Sequence, residues 1–436
     1  MKRYIYIIIG IIVAAVIAIL VLFLIKNSAQ NTTLTPSEAT ATGSLPVTGA
    51  QGTNSSGTTA TVGTLGLSSP TNSSTPAASG QTPTQSFGVL SSDPVVDYFV
   101  DAQNHITAIE PFGQIVSISN GQSTIVNSST IDNIISASFS YDGKKILVSY
   151  GDPANPSGGI FDSATNAWTA LPNGMLSPQW SPINNYQIAY LAVINGGKLV
   201  LSTMNATNLK AAPSVLLSLN ANDLALQWPI KNEFILSDKP TYQNAGSILV
   251  FNSQTGTLSP LMYEVPGAEG IWSHNATIPY GLVFFSNSLG QGNTLQLQAI
   301  SGNLPTQSLN LKTLPSKCAF NTEQMPIATS TPTNATTTSV KIKPGAPTST
   351  PYLALYCGIP RDATAFSSAH LPDNYNMMAF FTSDDIYKIN TATGAEQVLW
   401  SDGTQNMDIS DVKIFNNALF FINRYDQKLY GLTFSN

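Results

Sequence analysis

An eleven-residue pattern occurs three times in this chain: FDSATNAWTAL from Phe161, FNSQTGTLSPL from Phe251 and INTATGAEQVL from Ile389. Each copy reads apolar residue, Asp or Asn, a few small polar residues, Gly or Asn, then a run ending in Leu. Gly and Asn tolerate the positive φ of a tight turn, so the pattern predicts two short strands joined by a hairpin. The copies are separated by near-multiples of about 45 residues, the length of a four-stranded propeller blade.

A second element recurs upstream of the first. SFSYDGKKILVSY starts at Ser138, QWSPINNYQIAYLAV at Gln179, QWPIKNEFILSD at Gln227 and IWSHNATIPYGLVFFSN at Ile271. Each has an aromatic residue, a polar turn and then a short apolar strand. Asp142-Gly143 is a strong hairpin signal, and Pro182 pre-sets φ for the same purpose. Two strand–turn–strand elements in succession give four antiparallel strands per unit. No stretch from about residue 87 onward shows sustained helical periodicity, so this head region reads as all-β.

Tyr141-Asp142-Gly143 and Trp180-Ser181-Pro182 match parts of an aromatic-Ser-Pro-Asp-Gly turn, while Trp228-Pro229 and Trp272-Ser273 match its opening. In this the head resembles the TolB-like, WD-type β-propeller repeat. The resemblance covers most of the head, although no single copy is complete. It implies a fold and very little function, since the repeat serves binding proteins, lyases, oxidoreductases and peptidase gates alike.

Units start near Pro94, Ile134, Leu176, Leu224, Ala268 and Lys317. The C-terminal piece supplies only three strands, near Val412–Phe415, Ala418–Asn423 and Lys428–Phe434. A fourth strand is drawn most economically from Phe87–Leu90, which hides an otherwise open sheet edge. The count is therefore seven blades, with six and eight as the neighbouring alternatives. The unit from Lys317 is interrupted by a Thr/Ser/Pro/Lys stretch at about 328–350 and by a second segment from Arg361 to Met378 that carries His370, Asp373 and Tyr375. Insertions of this kind lie on surface loops, where binding determinants often sit.

The N-terminus predicts location. Residues 4–25 form an uncharged apolar run, long enough for a hydrocarbon core that needs about 20 residues. Lys2 and Arg3 precede it, which keeps the N-terminus cytoplasmic and the head outside. A cleaved signal peptide is the competing reading, but Asn27-Ser28-Ala29 matches a cleavage site poorly. Gly10, Ala14 and Ala18 share one helix face, an arrangement that permits weak pairing of two membrane helices. The domain plan is thus an anchor at 1–26, a Ser/Thr/Gly/Pro-rich stalk at 27–86 and a propeller at 87–436. The stalk has too few large apolar residues to offset its ordering entropy, so disorder is expected there.

Cys318 and Cys357 are the two cysteines of the chain. Placed outside the cytoplasm and across a hairpin, they are expected to pair, closing a ring worth about 4 kcal/mol by the loop-entropy model. A metal site is disfavoured because no His or third Cys lies nearby.

Catalytic signals are missing: there is no Gly-x-Ser-x-Gly elbow, His-Glu-x-x-His or phosphate-binding Gly-rich loop. The three histidines, His105, His274 and His370, read as surface or strand-end residues or as part of the second insertion. Asp384 and Asp385 are neighbours on a strand and point to opposite faces, which argues against an acid/base pair. Asp402, Asp408 and Asp411 miss the EF-hand spacing and read as a solvated acidic loop. No catalytic residue, cofactor or metal is assigned. Only 10% of residues are charged and the net charge is −6, so nucleic acid is excluded as a partner. Seven sequons occur, at Asn31, Asn54, Asn72, Asn127, Asn205, Asn275 and Asn334; in so Asn/Ser/Thr-rich a chain many arise by chance, and their use depends on the host.

The resulting expectation is a non-enzymatic propeller, tethered to the cell membrane, that binds a protein or cell-surface polymer outside the cell. The alternatives are an extracytoplasmic glycan hydrolase or lyase with a channel site, and a structural subunit of a surface assembly. Protein recovered from cells should retain residues 1–26 by intact mass. A mature N-terminus near Gln30 would restore the signal-peptide reading.

Overall fold

The recurrent turn folds as its residues dictate. The sixth position of each copy, Asn166, Gly256 and Gly394, takes φ of 51°, 70° and 73°. The second position caps the same turn: Asp162 Oδ1 accepts from Ala164 N, and Asn252 and Asn390 Oδ1 accept from Gln254 N and Ala392 N. A side chain that mimics the backbone acceptor and a residue that tolerates the left-handed region together close the hairpin.

The computed structural model describes residues 86–194, 196–221, 223–286, 293–301, 305–326 and 349–434. Its strands run in chain order from β1 (Ser86–Val89). Blade 1 comprises β2 (Asp97–Val100), β3 (Ile106–Ile109), β4 (Ile115–Ser119) and β5 (Gln122–Asn127). Blade 2 holds β6 (Ile134–Phe139), β7 (Lys145–Asp152), β8 (Asn155–Asp162) and β9 (Ala167–Ala170). Blade 3 is β10 (Leu176–Trp180), β11 (Gln187–Ile194), β12 (Lys198–Asn205) and β13 (Ser214–Leu219). Blade 4 is β14 (Leu224–Ile230), β15 (Glu233–Asp238), β16 (Ala245–Asn252) and β17 (Thr257–Pro266). In blade 5 come β18 (Glu269–Trp272), β19 (Tyr280–Ser286), β20 (Asn293–Ala299) and β21 (Gln307–Leu309). In blade 6 come β22 (Cys318–Pro326), β23 (Ser349–Pro360), β24 (Asp384–Asn390) and β25 (Glu396–Trp400). Blade 7 takes β26 (Ile409–Phe415), β27 (Ala418–Asn423) and β28 (Lys428–Thr433), and adds β1 as its outermost strand.

This is a seven-bladed propeller, all-β in its seven sheets. Closure follows the expected route: Phe87 pairs with Leu432 and Val89 with Tyr430 along β28. Phe87 also stacks on Trp400 of blade 6 at 4.4 Å, so the closing strand grips two blades. The inner seam is made by Tyr98 Oη donating to Asp411 O at 2.7 Å and by the Lys413–Asp97 ion pair.

Bonds between other blades repeat with the period of the sequence. Trp180 Nε1 donates to Ser138 O, Trp272 Nε1 to Gln227 Oε1 and Asn275 Nδ2 to Thr322 Oγ1, across separations of 42 to 47 residues. The aromatic residue that marks each unit therefore serves the joint with the preceding blade in at least two cases. Middle strands such as β7, β11 and β27 carry runs of buried residues rather than the simple alternation of a one-sided sheet. Both of their faces are covered, because a blade packs against neighbours on either side.

Cys318 and Cys357 face each other in the β22–β23 register and form the expected disulfide. Several expectations shift. Strand β26 begins at Ile409, ahead of Val412. Ser349 and Thr350, assigned to the low-complexity insertion, belong to β23, and residues 328–348 of that insertion lie outside the described residues. The second insertion is helical, with α1 (Ala363–Ser368) and α2 (Asp373–Asn376). Asp362 caps α1 through Thr364 N and Ala365 N, a local signal too short to register as helical periodicity. The anchor over residues 4–25, its Gly10, Ala14 and Ala18 face, and the stalk up to Gln85 also lie outside the described residues. Among the described residues no helix is long and apolar enough to cross a membrane.

Deleting residues 86–91 should abolish a single cooperative thermal transition and cause aggregation, whereas deleting residues 60–65 should leave the melting profile unchanged. Equal behaviour of the two deletions would refute closure by β1.

Candidate functional site

Antiparallel order fixes which connections share an end of the ring. The recurrent hairpins lie on one side, here the turn face. The blade-to-blade links and the connections between second and third strands lie on the other, the linker face. Residues 361–383 join β23 to β24, so the helical insertion belongs to the linker face.

The insertion is tied down at three points. Asp373 accepts from Thr241 Oγ1 at 3.0 Å and Tyr242 N at 2.9 Å, both on the β15–β16 connection of blade 4. Leu371 and Pro372, joined by a cis peptide bond, rest on Gly267 at φ 65°, where an added Cβ would lie 3.1 Å from Pro372 Cδ. Phe366, Leu371 and Tyr375 are buried in a core shared with blades 5 and 6.

Beneath it lies a buried ionic cluster. Lys317 Nζ is 2.6 Å from Asp384 Oδ2, pairs with Asp408 and donates to Thr382 Oγ1 at 2.7 Å. Arg424 pairs with Asp408 at 2.6 Å, donates to Tyr375 O and places its guanidinium 3.5 Å from the centre of the Tyr375 ring. The side chains of Lys317, Asp384 and Asp408 are fully buried. Burial works against the Lys317 charge, but Asp384, Tyr375 and Asp408 together raise its pKa above the usual range. Removing one member of such a cluster costs about 3–5 kcal/mol, because its partner is left buried and unpaired. The cluster therefore fixes the insertion to blades 6 and 7.

The seven inner strands line a central channel. Its linker-face mouth is a cavity of about 1030 Å³ whose wall includes Ile135, Gln179, Gln227, Glu269, Trp272 and Ser316. Toward the turn face, one cavity of about 1000 Å³ is lined by His274, Phe320 and Lys413, and one of about 610 Å³ by Phe99, Phe139 and Tyr141.

Two carboxyls on the channel wall are perturbed. Burial raises Asp97 to about 7; Lys413 opposes that shift and Asp411 adds to it. Burial likewise raises Glu269 to about 8, against a hydrogen bond from Asn376 of the insertion.

The singled-out residues are not brought together. His105 is exposed beside Asp101, His274 faces the channel with Nδ1 3.0 Å from Pro229 O, and His370 stacks on Tyr242 at 4.4 Å. Asp384 and Asp385 diverge as expected, Asp385 pairing with Arg361. The acidic-loop expectation is corrected: Asp402 is near the surface capping Thr404, whereas Asp408 is buried and Asp411 faces Lys413. Ion pairing with Lys317 and Arg424 is what makes burial of Asp408 tolerable. Among the described residues no His/Cys/Asp/Glu group is placed to hold a metal. Sequence reading missed Glu269, Lys317, Lys413 and Arg424. Their signal was a charge set beside or within an apolar strand in a chain with few charges, as in ALFFINR ending at Arg424.

No known protein family matches the chain, and no curated protein does. Among solved structures it is similar to a catalytically inactive virginiamycin B lyase from Staphylococcus aureus with quinupristin, at 11% identity over 81% of this chain and 99% of that one, TM-score 0.47. An uncharacterized protein from Listeria monocytogenes EGD-e gives 11% identity over 80% and 98% of the two chains, TM-score 0.47. TolB from Acinetobacter baumannii gives 12% identity over 81% and 64%, TM-score 0.34. These likenesses concern the fold and assign no activity.

A carboxyl whose folded pKa lies above its unfolded value binds more protons in the native state, so stability falls as pH rises between the two values. For Glu269 that window runs from 4.5 to about 8. The melting temperature should decline across it, and Glu269→Gln should flatten the profile and raise stability most at its alkaline end. A wild-type profile identical to that of the variant would contradict the buried, cation-free setting of this carboxyl.

Proposed function

We propose that the chain is a non-enzymatic, membrane-tethered β-propeller, with TolB-like, WD-type repeats, that binds a protein partner outside the cell through its helical insertion. The observation that carries this reading is the surface of that insertion. Met377, Met378 and Tyr425 are 67%, 43% and 46% exposed, and Tyr425 stacks on Phe381 at 5.2 Å. Met378 Sδ lies 2.9 Å from Arg424 and so sits directly on the ionic cluster. A contiguous apolar-aromatic patch on rigid backing is what a protein partner requires, and methionine adapts its shape to the contact.

Tethering is supported by the uncharged run at 4–25 behind Lys2 and Arg3, and an extracytoplasmic head by the Cys318–Cys357 disulfide. The glycan hydrolase or lyase alternative would use channel carboxylates, but Asp97 and Asp411 share Lys413 rather than standing as an acid/base pair. A structural subunit paired through Gly10, Ala14 and Ala18 remains the third reading.

Proximity labelling on intact cells should identify a protein neighbour. The double variant Met377→Ser/Tyr425→Ser, which adds no charge beside Arg424, should capture it at least about tenfold less well while still unfolding in one cooperative transition. Undiminished capture by the variant would remove the insertion from the interface, and recovery of a polymer alone would favour the envelope-binding form of the reading.

A further inference from the structure

The linker-face cavity carries two polar atoms that the fold leaves unexplained. Glu269 Oε1 and Ser316 Oγ are buried and neither has a hydrogen-bond partner. Both residues line this one cavity, Glu269 at the start of β18 and Ser316 in the 3-10 turn Pro315–Lys317 that packs against that strand. A buried acceptor left unpaired is destabilising, the more so when it is charged. A ligand that supplies donors recovers that cost.

The nearby charges are already engaged. Lys317, next to Ser316, is held by Asp384 and Asp408. Lys239, on the cavity wall, pairs with Asp223, which lines the same wall. Arg424 pairs with Asp408 and Arg361 with Asp385. On the insertion, Asp373 is turned to Thr241 and Tyr242, and His370 lies against the Tyr242 ring. The raised pKa of Glu269 accordingly reflects burial opposed only by Asn376, with no charged neighbour. The rest of the wall includes the apolar side chains of Leu226, Ile271, Trp272 and Pro315.

We propose that this cavity binds an aliphatic primary amine, its ammonium donating to Glu269 and Ser316 and its alkyl stem lying along Ile271 and Trp272. An ammonium offers three donors and one positive charge, matching two unpaired acceptors and a carboxyl that lacks a counter-ion. The last torsion of a glutamate side chain is broad, so a small rotation suffices to turn the unpaired Oε1 toward a ligand in the cavity. Binding ionises Glu269 and sends its proton to solvent, leaving a neutral ammonium–carboxylate pair. Asn376, whose side chain donates to Glu269, directly precedes Met377, so the site adjoins the insertion, but it uses none of the exposed side chains of Met377, Met378 and Tyr425.

The test is calorimetric titration of the full-length chain with n-pentylamine near pH 7, in two buffers of different ionisation enthalpy. Saturable binding with release of close to one proton per amine is expected, because burial keeps the free carboxyl protonated. 1-Pentanol, of equal length and uncharged, should bind at least about tenfold more weakly, as should pentylamine to Glu269→Gln. Met377→Ser/Tyr425→Ser, which adds no charge near Glu269, should bind pentylamine like the wild type, so failure of the protein-binding reading and failure of this one are told apart. Equal affinity for the alcohol, absence of proton release from the wild-type chain, or full affinity in folded Glu269→Gln would each overturn the proposal.

Discussion

The ring depends on a strand of four residues. Ser86–Val89 pairs along β28 and completes blade 7, while a few residues later Tyr98 and Asp97 reach back to β26. Both ends of the head thus meet at a single joint, once at the rim and once at the channel. A propeller without this joint would expose β28 as an open edge and leave the core between blades 7 and 1 half-built. Phe87 adds apolar weight by stacking on Trp400, Phe421 and Tyr430. Leu90 continues the same seal toward blade 1, where it is buried with Tyr98 and Phe420.

Between the other blades, cohesion is modular. Several joints combine a buried apolar cluster with a few hydrogen bonds whose separation is close to one sequence repeat, such as Tyr186 Oη to Asp142 Oδ2 at 2.6 Å and Trp180 Nε1 to Ser138 O. Repetition of the aromatic-turn element therefore has a mechanical sense. Trp180 and Trp272, at the same place in their units, each bond the blade before, whereas Trp228 turns its indole N–H to Lys231 O of its own blade. Blades so joined form a stiff frame, which suits the insertion that rests on it.

Blade 6 departs from the common plan. It holds the disulfide, the long β22–β23 hairpin, the insertion and Lys317. These features are coupled by proximity: Lys317 directly precedes Cys318, and its ion pairs reach Asp384 at the base of the insertion and Asp408 at the entrance to blade 7. The cluster carries two positive and two negative side chains, so it is electrically balanced although buried. Glu269, across the mouth of the channel, is the contrasting case, a carboxyl with an amide partner and no cation. One group is built for stability and the other for an incoming partner.

Much of this architecture was legible in the residues. Asx and Gly or Asn at fixed positions of an eleven-residue pattern specify a hairpin by local backbone chemistry, and such signals survive without tertiary context. The shortage of one strand at the C-terminus pointed to Phe87–Leu90, and Cys318 and Cys357 stood at matching places on neighbouring strands. The ionic cluster was not legible, because Lys317, Asp384, Asp408 and Arg424 are up to 107 residues apart and meet only when blades 6 and 7 close on each other. Asp408 looked like a solvated loop residue for the same reason. Local pattern determines turns, strands and their number. Whether a charge is buried, paired or left without a counter-ion is decided by which blades come to lie side by side, since burial and distance set its electrostatics and neither exists along the extended chain.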